Sequence, residues 1–155
     1  MKKLTWLLLF PALLFPMPAG DSQGFVLWKS ADLKAYAAKL SPKINDKKIA
    51  TENLATFDGY LAMMAHREGS GEAELHETVA DLLVVESGAG TLIIGGTIPN
   101  GKTTAPGEVR GPAVQGGERR RVAPGDVVKI APKIPHQMLV DPGKEITYFE
   151  LKIGK

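Results

Sequence analysis

The sequence predicts a mainly β protein, a sandwich or barrel of short strands in a single domain, with one short helix near its N-terminus. Three observations lead there. The chain has 155 residues, 44% of them hydrophobic, which suits one compact core and leaves little room for a second. After about Asn53 its apolar runs are short, rich in Val, Ile and Leu, and punctuated by Gly or Pro. Only one stretch has helical spacing.

The first twenty residues, MKKLTWLLLFPALLFPMPAG, read as a secretory signal peptide. Lys2 and Lys3 form its charged start, residues 4–15 its apolar centre, and Ala19 and Gly20 offer a cleavage site. The apolar centre is too short to span a bilayer and contains Pro11. The expectation is a periplasmic or secreted protein without a stable membrane anchor. The chain has no cysteine, which excludes disulfides, thiolate metal sites, a cysteine nucleophile and a lipidated cysteine anchor.

Residues 21–56 form an N-terminal segment with a helix over about 30–40. Leu33, Tyr36, Ala37 and Leu40 share one face, Ser30 caps the start, and Pro42 ends the run. Residues 57–153 supply the β domain. Its expected strands are 57–67, 73–76, 82–86, 91–94, 119–122, 127–130, 137–140 and 146–153. Between them, residues 97–125 hold six glycines and four prolines and read as a long loop shaping a binding mouth. Glu108 and Arg110 read as braces of that loop, with a grip on substrate as the alternative. The run Arg119-Arg120-Arg121 reads as a solvated edge strand protected by charge, with an inward arginine gripping a substrate carboxylate as the alternative.

Charge excludes one class of partner. Without Lys2 and Lys3, the remaining 17 basic and 17 acidic residues balance, so no broad positive field is available for nucleic acid. Neither Ser70 nor Ser87 has the glycine context of a hydrolase nucleophile. The pairs Gly95-Gly96 and Gly116-Gly117 lead into loop or strand, not into the helix a phosphate cradle needs.

The chemistry-bearing residues cluster around three histidines: His66, His76 and His136. Glu74 and His76 stand two apart, so one strand presents both on one face. Asp81 is an acid just before an apolar run, and His136 opens a later strand. Nitrogen and carboxylate donors together suit Mn, Fe, Ni or Zn. Spacing alone favours solvated polar faces over a metal site. His66 reads as a rim histidine satisfied by hydrogen bonds, or as a proton shuttle if it faces inward. Met63 and Met64 read as core filler.

The arrangement of these residues resembles the two motifs of the cupin family, small β-barrels. Glu74, His76, Asp81 and Gly88 fall at the intervals of the first, and Val85-Glu86-Ser87-Gly88-Ala89-Gly90 resembles its strand–turn–strand. Pro124-Gly125-Asp126 through Pro135-His136-Gln137 resembles the second. The resemblance spans roughly residues 57–153 and implies a single cupin barrel of the double-stranded β-helix, or jelly-roll, type. An immunoglobulin-like sandwich is the alternative fold.

The resemblance also implies a divalent metal ion held by Glu74, His76, Asp81 and His136. Glu74 stands where the family usually has histidine, and Asp81 where it usually has glutamate. In the second motif Ala131, Lys133 and Val140 depart from the family's usual residues. Asp81 lies an odd number of residues from His76, so a bend or bulge between Glu77 and Ala80 is needed to turn it inward; otherwise it acts on a histidine ring from behind. By analogy the protein is a metal-dependent enzyme on a small molecule, with oxygenase, isomerase, epimerase or lyase chemistry unresolved. Glu74, if off the metal, is a candidate general base. The competing expectation is a non-catalytic module binding a small molecule or sugar. Homodimer formation is common in the family and compatible with the apolar residues Ile146, Phe149, Leu151 and Ile153.

Overall fold

The computed structural model describes residues 25–154. The expected signal peptide and its cleavage site lie outside the described residues. Among those described, no helix is long and apolar enough to cross a membrane.

The expected helical face is the buried one: Leu33, Tyr36 and Ala37 are half-buried, and Leu40 is fully buried. The segment folds as two short helices, α1 (Ser30–Lys34) and α2 (Tyr36–Leu40), followed by a 3-10 turn at Ser41–Lys43. Ser30 is the first helical residue of α1, and the cap position falls on Lys29, which makes no side-chain capping bond. Pro42 lies inside the 3-10 turn, at a position whose missing N–H is not needed.

Among the described residues eleven strands follow, all paired antiparallel: β1 (Ile49–Phe57), β2 (Tyr60–Arg67), β3 (Ala73–His76), β4 (Ala80–Gly88), β5 (Gly90–Ile94), β6 (Lys102–Ala105), β7 (Glu108–Gly111), β8 (Glu118–Val122), β9 (Val127–Ile130), β10 (His136–Leu139) and β11 (Ile146–Ile153). They form a five-stranded sheet, β1-β2-β11-β4-β9, and a six-stranded sheet, β6-β7-β3-β10-β5-β8.

Two departures from expectation have local causes. The strand expected over 57–67 is broken by Asp58-Gly59, where Gly59 takes φ +82° and Phe57 pairs with Tyr60. This is the two-residue hairpin that Asp-Gly favours, and it folds β1 back beside β2. The stretch 97–125 is not one long loop. Residues 102–111 form the β6–β7 hairpin, turning at Pro106-Gly107, and β7 pairs with β3.

The interior between the sheets is filled by Leu83, Val85, Leu92, Met138, Ile146 and Tyr148, among others. A second cluster lies on the outer face of the five-stranded sheet. There Leu40, Trp28 and Leu33 pack against Met64, Ala62 and Phe149, with the Trp28 and Phe149 rings 5.2 Å apart. The two helices are therefore a lid on the sheet's back, and their apolar stripe is explained by it. At the β4–β5 turn Gly88 has φ +71°, and a Cβ there would run into the Glu145 carbonyl.

Candidate metal centre

Strand register assembles the site. On the six-stranded sheet Glu74 of β3 lies opposite His136 of β10 on one side and Arg110 of β7 on the other. His76 lies opposite Glu108. On the facing sheet Asp81 of β4 lies opposite Lys152 of β11. No bulge is needed to turn Asp81 inward. The chain leaves β3 at His76 and enters β4 in the other sheet at Ala80, so the alternation of one strand does not carry into the next. All four expected ligand residues thus meet inside the barrel.

Both imidazoles are held from behind. His76 Nδ1 lies 2.8 Å from both carboxylate oxygens of Glu108, and His136 Nδ1 donates to the Ile134 carbonyl at 3.0 Å. With Nδ1 as the protonated nitrogen, each ring turns an Nε2 lone pair inward. The two Nε2 atoms lie 3.2 and 3.3 Å from the same oxygen, Oδ2 of Asp81. Bonds of about 2.0–2.1 Å to one ion place neighbouring donors about 3.0–3.4 Å apart, so this separation fits a first-row divalent metal. Donor atoms of Glu74, His76 and His136 also lie within 4.8 Å of one another.

Each carboxylate of the set is shared with a protein cation. Glu74 touches Arg110 and lies 3.5 Å from Arg67. Asp81 Oδ1 accepts from Lys152 Nζ at 3.0 Å, and Lys152 reaches Glu150 at 2.8 Å and His76 Nε2 at 3.3 Å. Burial opposes ionisation of Asp81, but the hydrogen bonds that His136 and His76 donate whenever Nε2 carries a proton, and the Lys152 charge, hold it far below the usual carboxylate range. Burial likewise opposes ionisation of Glu74, and the guanidinium of Arg110, with Lys152 and Arg67, keeps it low. Burial would depress His76, but the Asp81 and Glu108 carboxylates outweigh it and the repulsion of Lys152, raising the ring above its ordinary value.

A cavity of about 200 Å³ lies against Glu74, Asp81, His136 and Lys152, with Leu83, Leu92, Met138 and Tyr148 on its apolar wall. A neighbouring cleft shares Ile49, Arg67, Glu74 and Arg110 with it and continues past Ser70, Gly71 and Glu72 to the surface. The Arg67–Glu74–Arg110 group therefore stands at the opening. Gln137 fixes one lip: its amide donates to the Gly71 carbonyl at 2.8 Å and accepts from the Val114 N–H at 3.1 Å.

Several of these residues were not expected. Glu108 and Arg110, read as loop braces, are strand residues facing His76 and Glu74. Arg67, Glu150, Lys152 and Gln137 carried no motif. The signal for two of them was periodicity: Tyr148, Glu150 and Lys152 alternate along β11 with Phe149 and Leu151, so two charges fall on a face shared with a core tyrosine.

The remaining expectations resolve simply. His66 is fully buried but faces out of the barrel, bonded to Thr147 Oγ1 at 2.8 Å and to Glu68 at 3.4 Å. It is satisfied by hydrogen bonds and cannot shuttle protons to the cavity. Met64 is core on the sheet's back, while Met63 lines the cavity. The three arginines lie on β8, an exposed edge strand, and none lines the cavity.

No family sequence model and no curated protein matches the chain. Solved structures do match in fold. A Klebsiella pneumoniae protein with a double-stranded β-helix domain superposes with a TM-score of 0.55 at 11% identity, covering 83% of this chain and 89% of its own. A cupin-like protein from Thermotoga maritima gives 0.50 at 17% identity, covering 68% of each chain. The polyketide cyclase RemF from Streptomyces resistomycificus gives 0.51 at 17% identity, covering 70% of this chain and 67% of its own. The two facing sheets and these likenesses define the class: the protein has the cupin, or double-stranded β-helix, fold.

Proposed function

We propose that this chain is an exported cupin-fold protein whose barrel holds a divalent ion, and that it acts on a small molecule as a metal-dependent enzyme. One observation carries the reading. Two imidazoles with their Nδ1 atoms already committed turn their Nε2 lone pairs toward one carboxylate oxygen. Three electron-rich atoms at that separation call for a cation between them. His76, His136 and Asp81 would hold it, with Glu74 beside them.

When bound, such an ion polarises a substrate oxygen or activates water. The rest falls to the chain's own residues. Glu108 fixes the His76 tautomer and orientation. The apolar wall of Leu83, Leu92 and Met138 excludes water from one side of the substrate. Arg67 and Arg110 orient Glu74 at the opening. The cavity of about 200 Å³ adjoins the neighbouring cleft through shared Ile49, Arg67, Glu74 and Arg110, and the two together suit a small-molecule substrate. Enzymes such as the polyketide cyclase among the fold neighbours support catalysis by analogy of fold alone. Export rests on the charged and apolar pattern of residues 1–20.

A second reading has its own observation. Every carboxylate in the cavity wall is in contact with a protein cation, which suits a metal-free module that binds a small molecule or sugar. Elemental analysis of the mature protein beside a His76→Ala/His136→Ala variant separates the two. Near-stoichiometric Mn, Fe, Ni or Zn, absent from the variant, supports the enzyme reading. Metal-free protein after attempted reconstitution overturns it in favour of the module. N-terminal sequencing of the protein from the export compartment tests the leader: a start near Gly20 or Asp21 is expected, and an intact Met1 refutes cleavage.

A further inference from the structure

We infer that Lys152 is the resident cation of the barrel, and that its ammonium and a divalent ion are alternative occupants of one position. The inference rests on the metal-binding reading above and concerns how that site is loaded.

The exclusivity follows from counting lone pairs. His76 offers the interior one lone pair, at Nε2, because Nδ1 is bound to Glu108. That lone pair faces Lys152 Nζ at 3.3 Å. It can accept an N–H from the ammonium or coordinate a metal, never both. The same ammonium holds Asp81 Oδ1 at 3.0 Å, so Lys152 touches two of the proposed ligand residues together.

Charge acts in the same direction. Among the described residues, Lys152 is the one lysine or arginine paired with Asp81, while Arg67 and Arg110 are committed to Glu74. The ammonium therefore balances the charge of Asp81 when no ion is bound. A divalent ion beside it would place three positive charges within a few ångströms in a poorly solvated interior.

The structure also supplies the place to which Lys152 retreats. Its third partner, Glu150 Oε1 at 2.8 Å, lies two residues back on β11 and belongs to none of the proposed ligand groups. Loading thus exchanges the Asp81 and His76 contacts of Lys152 for the ion and leaves the ammonium on Glu150.

The test is calorimetric titration of the metal-free full-length mature protein with Zn²⁺ and with Mn²⁺, using a chelator competitor for tight binding. Lys152→Met keeps the unbranched side chain as far as its fourth atom and removes the ammonium and its charge. It is expected to bind at least about tenfold more tightly than the unaltered protein, and Lys152→Arg no more tightly. Equal or weaker binding by Lys152→Met, with uptake still abolished in His76→Ala/His136→Ala, leaves the metal site standing and overturns the competition. No uptake by either the unaltered protein or Lys152→Met overturns the metal reading itself, and the inference with it.

A second measurement needs no variant. Proton–nitrogen spectra of the lysine side chains should show one solvent-protected ammonium in the metal-free protein. That signal shifts or vanishes at Zn²⁺ saturation. An ammonium signal unmoved by bound Zn²⁺ refutes the exchange.

Discussion

Asp81 and Lys152 lie directly opposite each other across the β4–β11 ladder, joined by a 3.0 Å hydrogen bond in the barrel interior. Directly paired residues share one face of a sheet, so the register that buries Leu83 and Tyr148 also fixes this ion pair. Asp81 is 2% exposed and Lys152 25% exposed at the side chain. Replacing Asp81 by Asn leaves the ammonium and two imidazoles without their carboxylate, and is expected to cost about 3–5 kcal/mol. Urea denaturation measures it; a loss under about 1 kcal/mol would mean that Glu150 alone satisfies Lys152.

The same carboxylate gives the protein an acid limit. Asp81 and Glu74 both titrate below their ordinary values in the folded state. Their stabilising contribution is therefore present above their unfolded pKa values, about 3.9 and 4.3, and is lost as pH falls toward the lower folded values. Melting temperature should be flat from neutrality to about pH 5 in these two groups' contribution and fall steeply below about pH 4. A Glu74→Gln variant that retained the full acid slope would exclude Glu74 as a contributor.

Glu108 acts on His76 from the side away from the cavity. A carboxylate on the far nitrogen raises the basicity of an imidazole ligand and fixes its orientation. Glu108→Gln keeps a hydrogen-bonding group and loses the charge, and is expected to weaken Zn²⁺ binding by about 10–100-fold. Titration of both proteins at one pH decides the matter, and unchanged affinity would reduce Glu108 to a partner of Arg110.

His66 should be silent at the site. It faces the helical lid on the back of the five-stranded sheet, where Thr147 and Glu68 bind it. His66→Gln is expected to leave metal stoichiometry unchanged while lowering stability by about 1–3 kcal/mol through broken buried hydrogen bonds. Loss of metal without loss of fold would reassign this histidine to the cavity.

Gln137 is expected to matter more than its lack of charge suggests. Gln137→Leu strands a buried N–H of Val114 and the carbonyl of Gly71, at about 1–3 kcal/mol for each unsatisfied group. Faster amide hydrogen exchange at Val114, in a protein that still folds, is the diagnostic result. Unaltered protection there would show that the lip is held by other contacts.

Much of this was legible in the chain because two codes are local. Alternation and turn residues marked most strands, and Leu33, Tyr36 and Leu40 of the 30–40 face packed as its period required. The paired motifs brought Glu74, His76, Asp81 and His136 together. What stayed hidden depended on register. Nothing near Glu108 or Arg110 tells that β7 pairs with β3, so two site residues read as loop braces. The Asp58-Gly59 hairpin was written in the sequence, yet the apolar run on either side of it read as one strand. Lys152 sits in an apolar strand near the chain's end, and only its partner across the ladder gives it meaning.

The site draws Glu74, His76 and His136 from one sheet and Asp81, Glu150 and Lys152 from the other. Its charged groups are therefore a clasp across the seam of the sandwich. Any ligand gripping both halves gains its affinity only from molecules whose halves are shut. Occupancy then serves as a gauge of closure: the bound fraction of a preparation counts the correctly folded barrels in it, and a ligand added during refolding selects for them.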